Sequence, residues 1–442
     1  MDRSLGAFNE ERQERSGIFL MDRLIAVGQS GVSVRALGGS RSGEMRVTRF
    51  LRNDDVTPGK MIETAAARTA TRVGGCHVLV IQDTTTLRDD GKKCSRNLHP
   101  SIAVDADTGA LLGLVHATFH TRVGGKKDLC GKRPFAEKES YRWLEATLEA
   151  AKLLVAGAIR VTVVADRECD IYDEFAHCPS GVDLLVRAHH DRMLADGVKL
   201  FRCVDDLAEL GRETIQLPAG PGRPARQATL ALKACPVRLK RPGRNTAAET
   251  AKLPPEVVLY FVEAREIDPP EGVPAAHWRL LSTHVVTTLA EARQVTAFYR
   301  ERWTIEQLFR VMKTKGFDIE ALRIADEKPF ENLVTATLIA AIQVLQMVRE
   351  RDGVARRPME DVLETADTAA LEAINATLEG KTERQKNPHA KGGLAYVTWV
   401  CARLGGWTGY YGKPGPVVIH KGFQRLKNML DGWWVRGDVC IW

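Results

Sequence analysis

The stretch 77–83 reads HVLVIQD, and 161–166 reads VTVVAD. Both are short apolar runs rich in β-branched residues, the composition of a strand buried on both faces. Both end in an aspartate. Between them, Ser101–Ala106 and Ala110–Thr121 flank Asp107-Thr108-Gly109, a turn signal that predicts a hairpin, and Lys138–Val155 has helical periodicity. A short helix over Ile171–Phe175 and a strand over Leu184–Arg187 follow. The order strand, hairpin, helix, strand, helix, strand predicts a mixed α/β core with helices packed on a sheet. A buried strand delivers the side chain at its end with little freedom, and ligand sites of α/β sheets gather at such ends. Alone, a strand-end aspartate is more often a turn or cap residue. Asp83 and Asp166 gain meaning from a third acid.

That acid is in Tyr299–Lys313, which reads YRERWTIEQLFRVMK. Tyr299, Arg302, Glu306 and Lys313 are separated by three, four and seven residues. On one helix, at about 100° per residue, they point within about 60° of one another. An acid, two cations and an aromatic hydroxyl on one stripe suit a site that holds a metal ion beside a phosphate backbone. Carboxylate oxygens ligate the metal and the cations donate to phosphate oxygens. Three carboxylates can hold two divalent ions that clamp the attacking and leaving oxygens of a phosphoryl transfer. No Ser-His arrangement is then required, and G-x-S-x-G is absent.

Around this core, residues 1–70 read as helices. Arg46, Arg49 and Arg52 share a helix face, a candidate phosphate-contacting face whose plain alternative is solvation. From about 190 to 286, short alternating runs split by Pro/Gly/Arg-rich turns predict a β-rich insertion. Within it Arg238, Lys240, Arg241 and Arg244 read as a solvated basic turn, with a DNA contact as the secondary reading. The segment after 350 is mainly helical, with a polar, turn-rich stretch at 376–393. The chain has 442 residues and a formal net charge of +7, which permits a polyanionic partner without requiring one. Nine cysteines show no C-x-x-C and no zinc spacing, as for structural thiols in a reducing compartment. His116 and His120 lie in an apolar strand and do not read as zinc ligands. Glu168 reads as a structural acid. Gly124–Lys127 lacks the frame of a phosphate-binding loop. The first residues, MDRSLGAFNEERQERSG, lack a signal-type apolar core, and no apolar run of membrane-spanning length occurs, so no membrane association is expected.

QDTTTLR at 82–88, ADRECDIYDEF at 165–175 and the Tyr299–Lys313 stretch resemble the three catalytic motifs of bacterial DDE transposases. The resemblance is to the IS-four family, in the Tn-five-like branch with the Y-(2)-R-(3)-E-(6)-K signature. RFLRN near 50, LVRAHH at 185–190, HWRLLST at 277–283 and ARLGGW at 402–407 resemble that family in the same order. The resemblance therefore runs from near residue 10 to the C-terminus.

The resemblance implies an RNase H-like (retroviral integrase superfamily) catalytic core over 71–350, with the β-rich insertion inside it. It implies a helical domain over 1–70 that reads transposon ends and a dimerisation region over 351–442. Asp83, Asp166 and Glu306 match the metal-binding triad, for two Mg²⁺ with Mn²⁺ able to substitute. Tyr299, Arg302 and Lys313 match residues that hold the DNA backbone, and Arg187 a phosphate-contacting arginine. Trp278 matches a tryptophan that stacks on a base flipped from the transposon end. Trp303 either walls that pocket or packs in the core. The implied activity is cut-and-paste transposition on double-stranded DNA ends and target by a homodimer, in the bacterial cytoplasm with the nucleoid. The alternatives are a catalytically silent or inhibitory relative and a simple RNase H-like metal-dependent nuclease.

Overall fold

A computed structural model describes residues 4–27, 31–89, 94–123, 134–217, 224–243, 253–313 and 316–439. Gly124–Lys127 and Arg244 lie outside the described residues. The helices are α1 Glu11–Val27, α2 Val34–Gly38, α3 Arg41–Arg52, α4 Pro58–Ala70, α5 Tyr141–Val155 and α6 Tyr172–Ala176. They continue as α7 Leu289–Glu301, α8 Trp303–Met312, α9 Glu327–Glu350, α10 Thr368–Leu378, α11 Leu394–Leu404 and α12 Pro416–Val439. The strands are β1 His77–Gln82, β2 Thr85–Asp89, β3 Cys94–Asp105, β4 Leu111–Val123, β5 Arg160–Ala165 and β6 Val182–Arg187. β7 Gly211–Leu217, β8 Arg226–Lys240, β9 Glu256–Ile267 and β10 His277–Ser282 complete the set.

The ten strands of the described residues form one sheet. Its order is β4-β3-β1-β5-β6-β10-β9-β8-β7, with β2 also pairing the first half of β3. β1, β5 and β6 run parallel, and every other pairing is antiparallel. An antiparallel triplet continued by two parallel strands is consistent with an RNase H-like core. The stretch 190–286 is β-rich, and its four strands extend the same sheet: β10 pairs with β6 through Leu280 opposite Arg187. Gly109, at φ 71°, closes the β3–β4 hairpin, a left-handed conformation that glycine adopts without a Cβ clash.

Strand alternation divides the core between the two faces. Leu79, Ile81, Val164 and Leu185 face one cluster, with Ile305 and Leu308 of α8 and much of α9. Val78, Val80, Val163 and Leu184 face the other, with Trp143 and Leu153 of α5. α9 is long and apolar enough to cross a membrane, but 89% of its most apolar window is buried. It is the central core helix, against which α3, α4, α8, α11 and α12 pack. Asn332 of α9 donates to the carbonyls of Leu51 and Val56, both at 3.0 Å, fastening the N-terminal helices to it.

Candidate active site

Asp83 and Asp166 leave adjacent parallel strands at the same level. β1 and β5 are registered with Ile81 opposite Val164, so two residues further on each chain reaches its aspartate. β5 and β6 are registered with Ala165 opposite Val186, which sets Arg187 beside Asp166. Strand parity carries all three toward the α8 face of the sheet, because Ile81, Val164 and Leu185 point there.

The third acid arrives on a different element from the one expected. Tyr299–Lys313 is two helices, α7 and α8, joined at Arg302. The Arg302 N–H bonds to the Tyr299 carbonyl at 3.1 Å and the Ile305 N–H to the Arg302 carbonyl at 3.2 Å, a tight i to i−3 turn between two α-helices. Arg302 is thereby aimed at the strand ends. Its Nη1 lies 3.1 Å from Asp83 Oδ2 and 4.0 Å from Asp166 Oδ2, and its Nη2 lies 2.6 Å from Glu306 Oε1. The Tyr299 hydroxyl donates to Asp166 Oδ1 at 3.5 Å.

Arg302 is thus the common partner of all three carboxylates. Its side chain is 6% exposed, whereas those of Asp83, Asp166 and Glu306 are 21%, 26% and 30% exposed. The guanidinium forms the floor and the acids line the opening. Burial pushes the Asp83 carboxyl up to about 6, aided by Asp166 and Glu306 and opposed by Arg302. Burial and Asp166 push the Tyr299 hydroxyl up to about 12. Burial disfavours the Arg302 cation, but the surrounding negative groups outweigh it and hold it charged.

Three carboxylates against one guanidinium leave the site net negative, and their oxygens are the hard donors that Mg²⁺ or Mn²⁺ takes. In kind and exposure the donor set fits such ions. Among the described residues no three His, Cys, Asp or Glu stand close enough together to share one ion as arranged, since the acids are spread over the guanidinium.

The remaining expected residues take varied places. Arg187 Nη2 donates to the His277 carbonyl at 3.3 Å and its charge reaches the Tyr299 hydroxyl. Trp278 is buried, its ring 5.9 Å from that of Tyr299. Trp303 is half-buried, with the Arg302 guanidinium 5.3 Å from its ring centre. Lys313 caps α8 and reaches the Thr86 carbonyl at 2.6 Å and Glu320 at 2.9 Å, so both contacts are within the protein.

Of the three arginines on α3, Arg46 is tied to Ser16 and the Arg15 carbonyl, and Arg52 to Asp326. A cavity of about 740 Å³ between α1 and α3 is lined by Arg12, Arg15, Arg46 and Arg49. Glu168 turns to Arg142 at 2.8 Å, and His116 and His120 face Glu145 and Glu139.

One set of residues had no sequence signal because its members lie on β1, β3, α5, α6 and the turn between β1 and β2. Thr84 donates its backbone N–H to Asp83 Oδ1 at 2.8 Å. Its hydroxyl accepts from Arg142 Nε at 3.2 Å and contacts His99 Nδ1 at 2.9 Å. His99 Nε2 meets Gln82 Oε1 at 3.0 Å, Gln82 donates to Thr147, and Thr147 donates to Glu174 Oε1 at 2.5 Å. The direction is consistent throughout when His99 is neutral with its proton on Nε2, and burial holds it neutral. The chain starts at a cation and ends on a carboxylate.

Burial pushes the Glu174 carboxyl up to about 7, and its Oε2 has no hydrogen-bond partner among the described residues. A raised carboxyl pKa contributes stability present below the unfolded value, near 4.5, and lost as pH rises through about 7. Glu174→Gln should therefore flatten the dependence of Tm on pH between about 4.5 and 8. A profile as steep as the wild type's would contradict the assignment.

Residues 146–342 match the family model of the transposase DDE domain. The matched span includes Asp166, Arg187, Trp278, Tyr299, Arg302, Glu306 and Lys313 and begins downstream of Asp83. The match supports a DDE transposase, an enzyme of DNA transposition.

Proposed function

We propose that the chain is a cut-and-paste transposase of the IS-four family, acting through Asp83, Asp166 and Glu306. The observation that carries this reading is the convergence of the three carboxylates, from two strand ends and a helix, on one guanidinium at an opening of the fold. Two Mg²⁺ (or Mn²⁺) held by these acids would supply Lewis-acid activation of the attacking hydroxyl and neutralise charge on the transferring phosphoryl group.

The chain's own residues do the rest. Arg302 keeps the acids oriented and, with Lys313 and Arg187, offers donors to phosphate oxygens of the strand being cut. Tyr299 donates its hydroxyl to Asp166. In this reading water attacks first at each transposon end, the freed 3′-hydroxyl then closes a hairpin on the opposite strand, water reopens it, and the 3′-hydroxyl finally attacks target DNA. Every step is an in-line displacement at phosphorus, so one site serves all four. The basic cavity between α1 and α3 suits a contact with end DNA, and residues 351–442 a contact between two protomers.

The test is a strand-transfer assay with a linear duplex bounded by the inverted repeats that flank the coding region, a supercoiled target and Mg²⁺. Joined products are expected. Nicking without joining would replace this reading by a simple nuclease, and binding without cutting by a silent relative.

Trp278→Ala gives a finer readout. Loss of a base-stacking ring costs about 1–3 kcal/mol, or about five- to 150-fold. Hairpin formation should fall by that factor, with the first nick nearly unchanged. Equal loss at both steps would mean that Trp278 serves only to pack against Tyr299.

A further inference from the structure

Cys203 and Cys235 are 32 residues apart in sequence, and their Sγ atoms lie 3.4 Å apart. Cys235 is on β8, opposite Phe261 of β9. Cys203 directly follows a single 3₁₀ turn, Leu200–Arg202, whose Leu200 is buried. Three other contacts hold that turn in place. The Arg279 guanidinium lies 4.2 Å from the Phe201 ring centre, the Phe201 and Phe261 rings are 6.3 Å apart, and Lys233 Nζ donates to the Val204 and Asp205 carbonyls at 3.0 and 3.2 Å. The two sulfurs are therefore kept together by the fold around them.

We propose that Cys203 and Cys235 are an oxidation site, taking a peroxide and closing to an internal disulfide. Closing the gap to a bonded separation of about 2 Å asks each sulfur to move by less than about 1 Å, within the reach of side-chain rotation. Both side chains are half-buried, so a small oxidant reaches them, whereas Cys169 and Cys401 are buried. The shared hydrogen bond favours one thiolate: it holds Cys235 below the usual thiol range and Cys203 above it.

The chemistry balances with one peroxide. The Cys235 thiolate attacks one peroxide oxygen, the O–O bond breaks, and hydroxide leaves with the electron pair, giving a sulfenic acid. The Cys203 sulfur then attacks the Cys235 sulfur, the S–O bond breaks, and a second hydroxide leaves. The two thiol protons neutralise the two hydroxides, so two thiols and one hydrogen peroxide give one disulfide and two waters. The link fastens the 3₁₀ turn to β8 and closes a loop containing β7, which restricts the unfolded chain.

The test treats the full chain with dilute hydrogen peroxide, blocks remaining thiols, and digests it without reduction. A linked peptide pair containing Cys203 and Cys235, lighter by two hydrogens, is expected, together with a rise in Tm that a dithiol reverses. Cys203→Ser and Cys235→Ser should each lose the linked pair and the rise. In Cys203→Ser, Cys235 should stall as a sulfenic acid that dimedone traps. The proposal is overturned if both thiols stay alkylatable while Cys76 or Cys178 oxidises, or if they proceed to sulfinic acids without linking.

Discussion

Glu306→Gln should lower the rate of metal-dependent cleavage of transposon-end DNA on the order of 10³-fold. Glutamine keeps the size of the side chain and an oxygen to accept from Arg302 Nη2, now 2.6 Å away, but removes one of three negative charges. Metal-centred charge stabilisation is worth several kcal/mol of barrier, and about 4 kcal/mol is about 10³-fold. Stability should change little, because Glu306 is 30% exposed and α8 is anchored by Ile305, Leu308, Val311 and Met312. End binding in a gel shift should stay near the wild-type level, since the loss falls on chemistry. Cleavage within tenfold of wild type would remove Glu306 from the site.

Arg302→Met is expected to have the largest effect on stability. It leaves Asp83, Asp166 and Glu306 facing one another without the cation that each now contacts. Removing one partner of a buried ion pair costs about 3–5 kcal/mol, and the partial exposure of these acids puts the expectation at the lower end. The loss should be read as a fall in Tm at low ionic strength. Mn²⁺ or Mg²⁺ should then restore much of it, because a divalent cation supplies the missing charge. The wild-type protein should gain less from the same ion. A variant as stable as wild type, or one whose Tm ignores added metal, would show that the guanidinium is not the counter-charge of the three acids.

Much of this candidate site is legible in the sequence, and the reasons are local. His77–Gln82 and Arg160–Ala165 are buried strands because continuous β-branched runs leave no polar face, and an aspartate directly after such a run sits at the end of its strand, where the run leaves the core. Glu306 could be paired with them because helical spacing set it beside Arg302 and Tyr299. The break at Arg302 was not legible: no Gly or Pro marks it, and the weaker helix formers Trp303, Thr304 and Ile305 that follow are common inside helices.

Long-range pairing was equally hidden. Nothing in HWRLLS says that its strand lies against Leu185–Arg187, which is what makes the β-rich stretch a continuation of the central sheet. The chain from Arg142 to Glu174 behind Asp83 is assembled from residues whose neighbours in sequence are ordinary. Side-chain polarity alone would have left Gln82, His99 and Thr147 at the surface, whereas each is fully buried and satisfied by the next. The apolar helix α9 shows the converse: no uninterrupted apolar run marks it in the sequence, its length and mean hydropathy nonetheless suit a membrane span, and burial against its neighbours makes it the core.

The most direct measurement is anomalous diffraction from crystals equilibrated with Mn²⁺. Manganese peaks within ligand distance of carboxylate oxygens of Asp83, Asp166 and Glu306 are expected, with Arg302 displaced from at least one of them. Saturating Mn²⁺ that leaves this site without a peak, and Arg302 still in contact with all three acids, would contradict the assignment of the three carboxylates as the metal-binding centre.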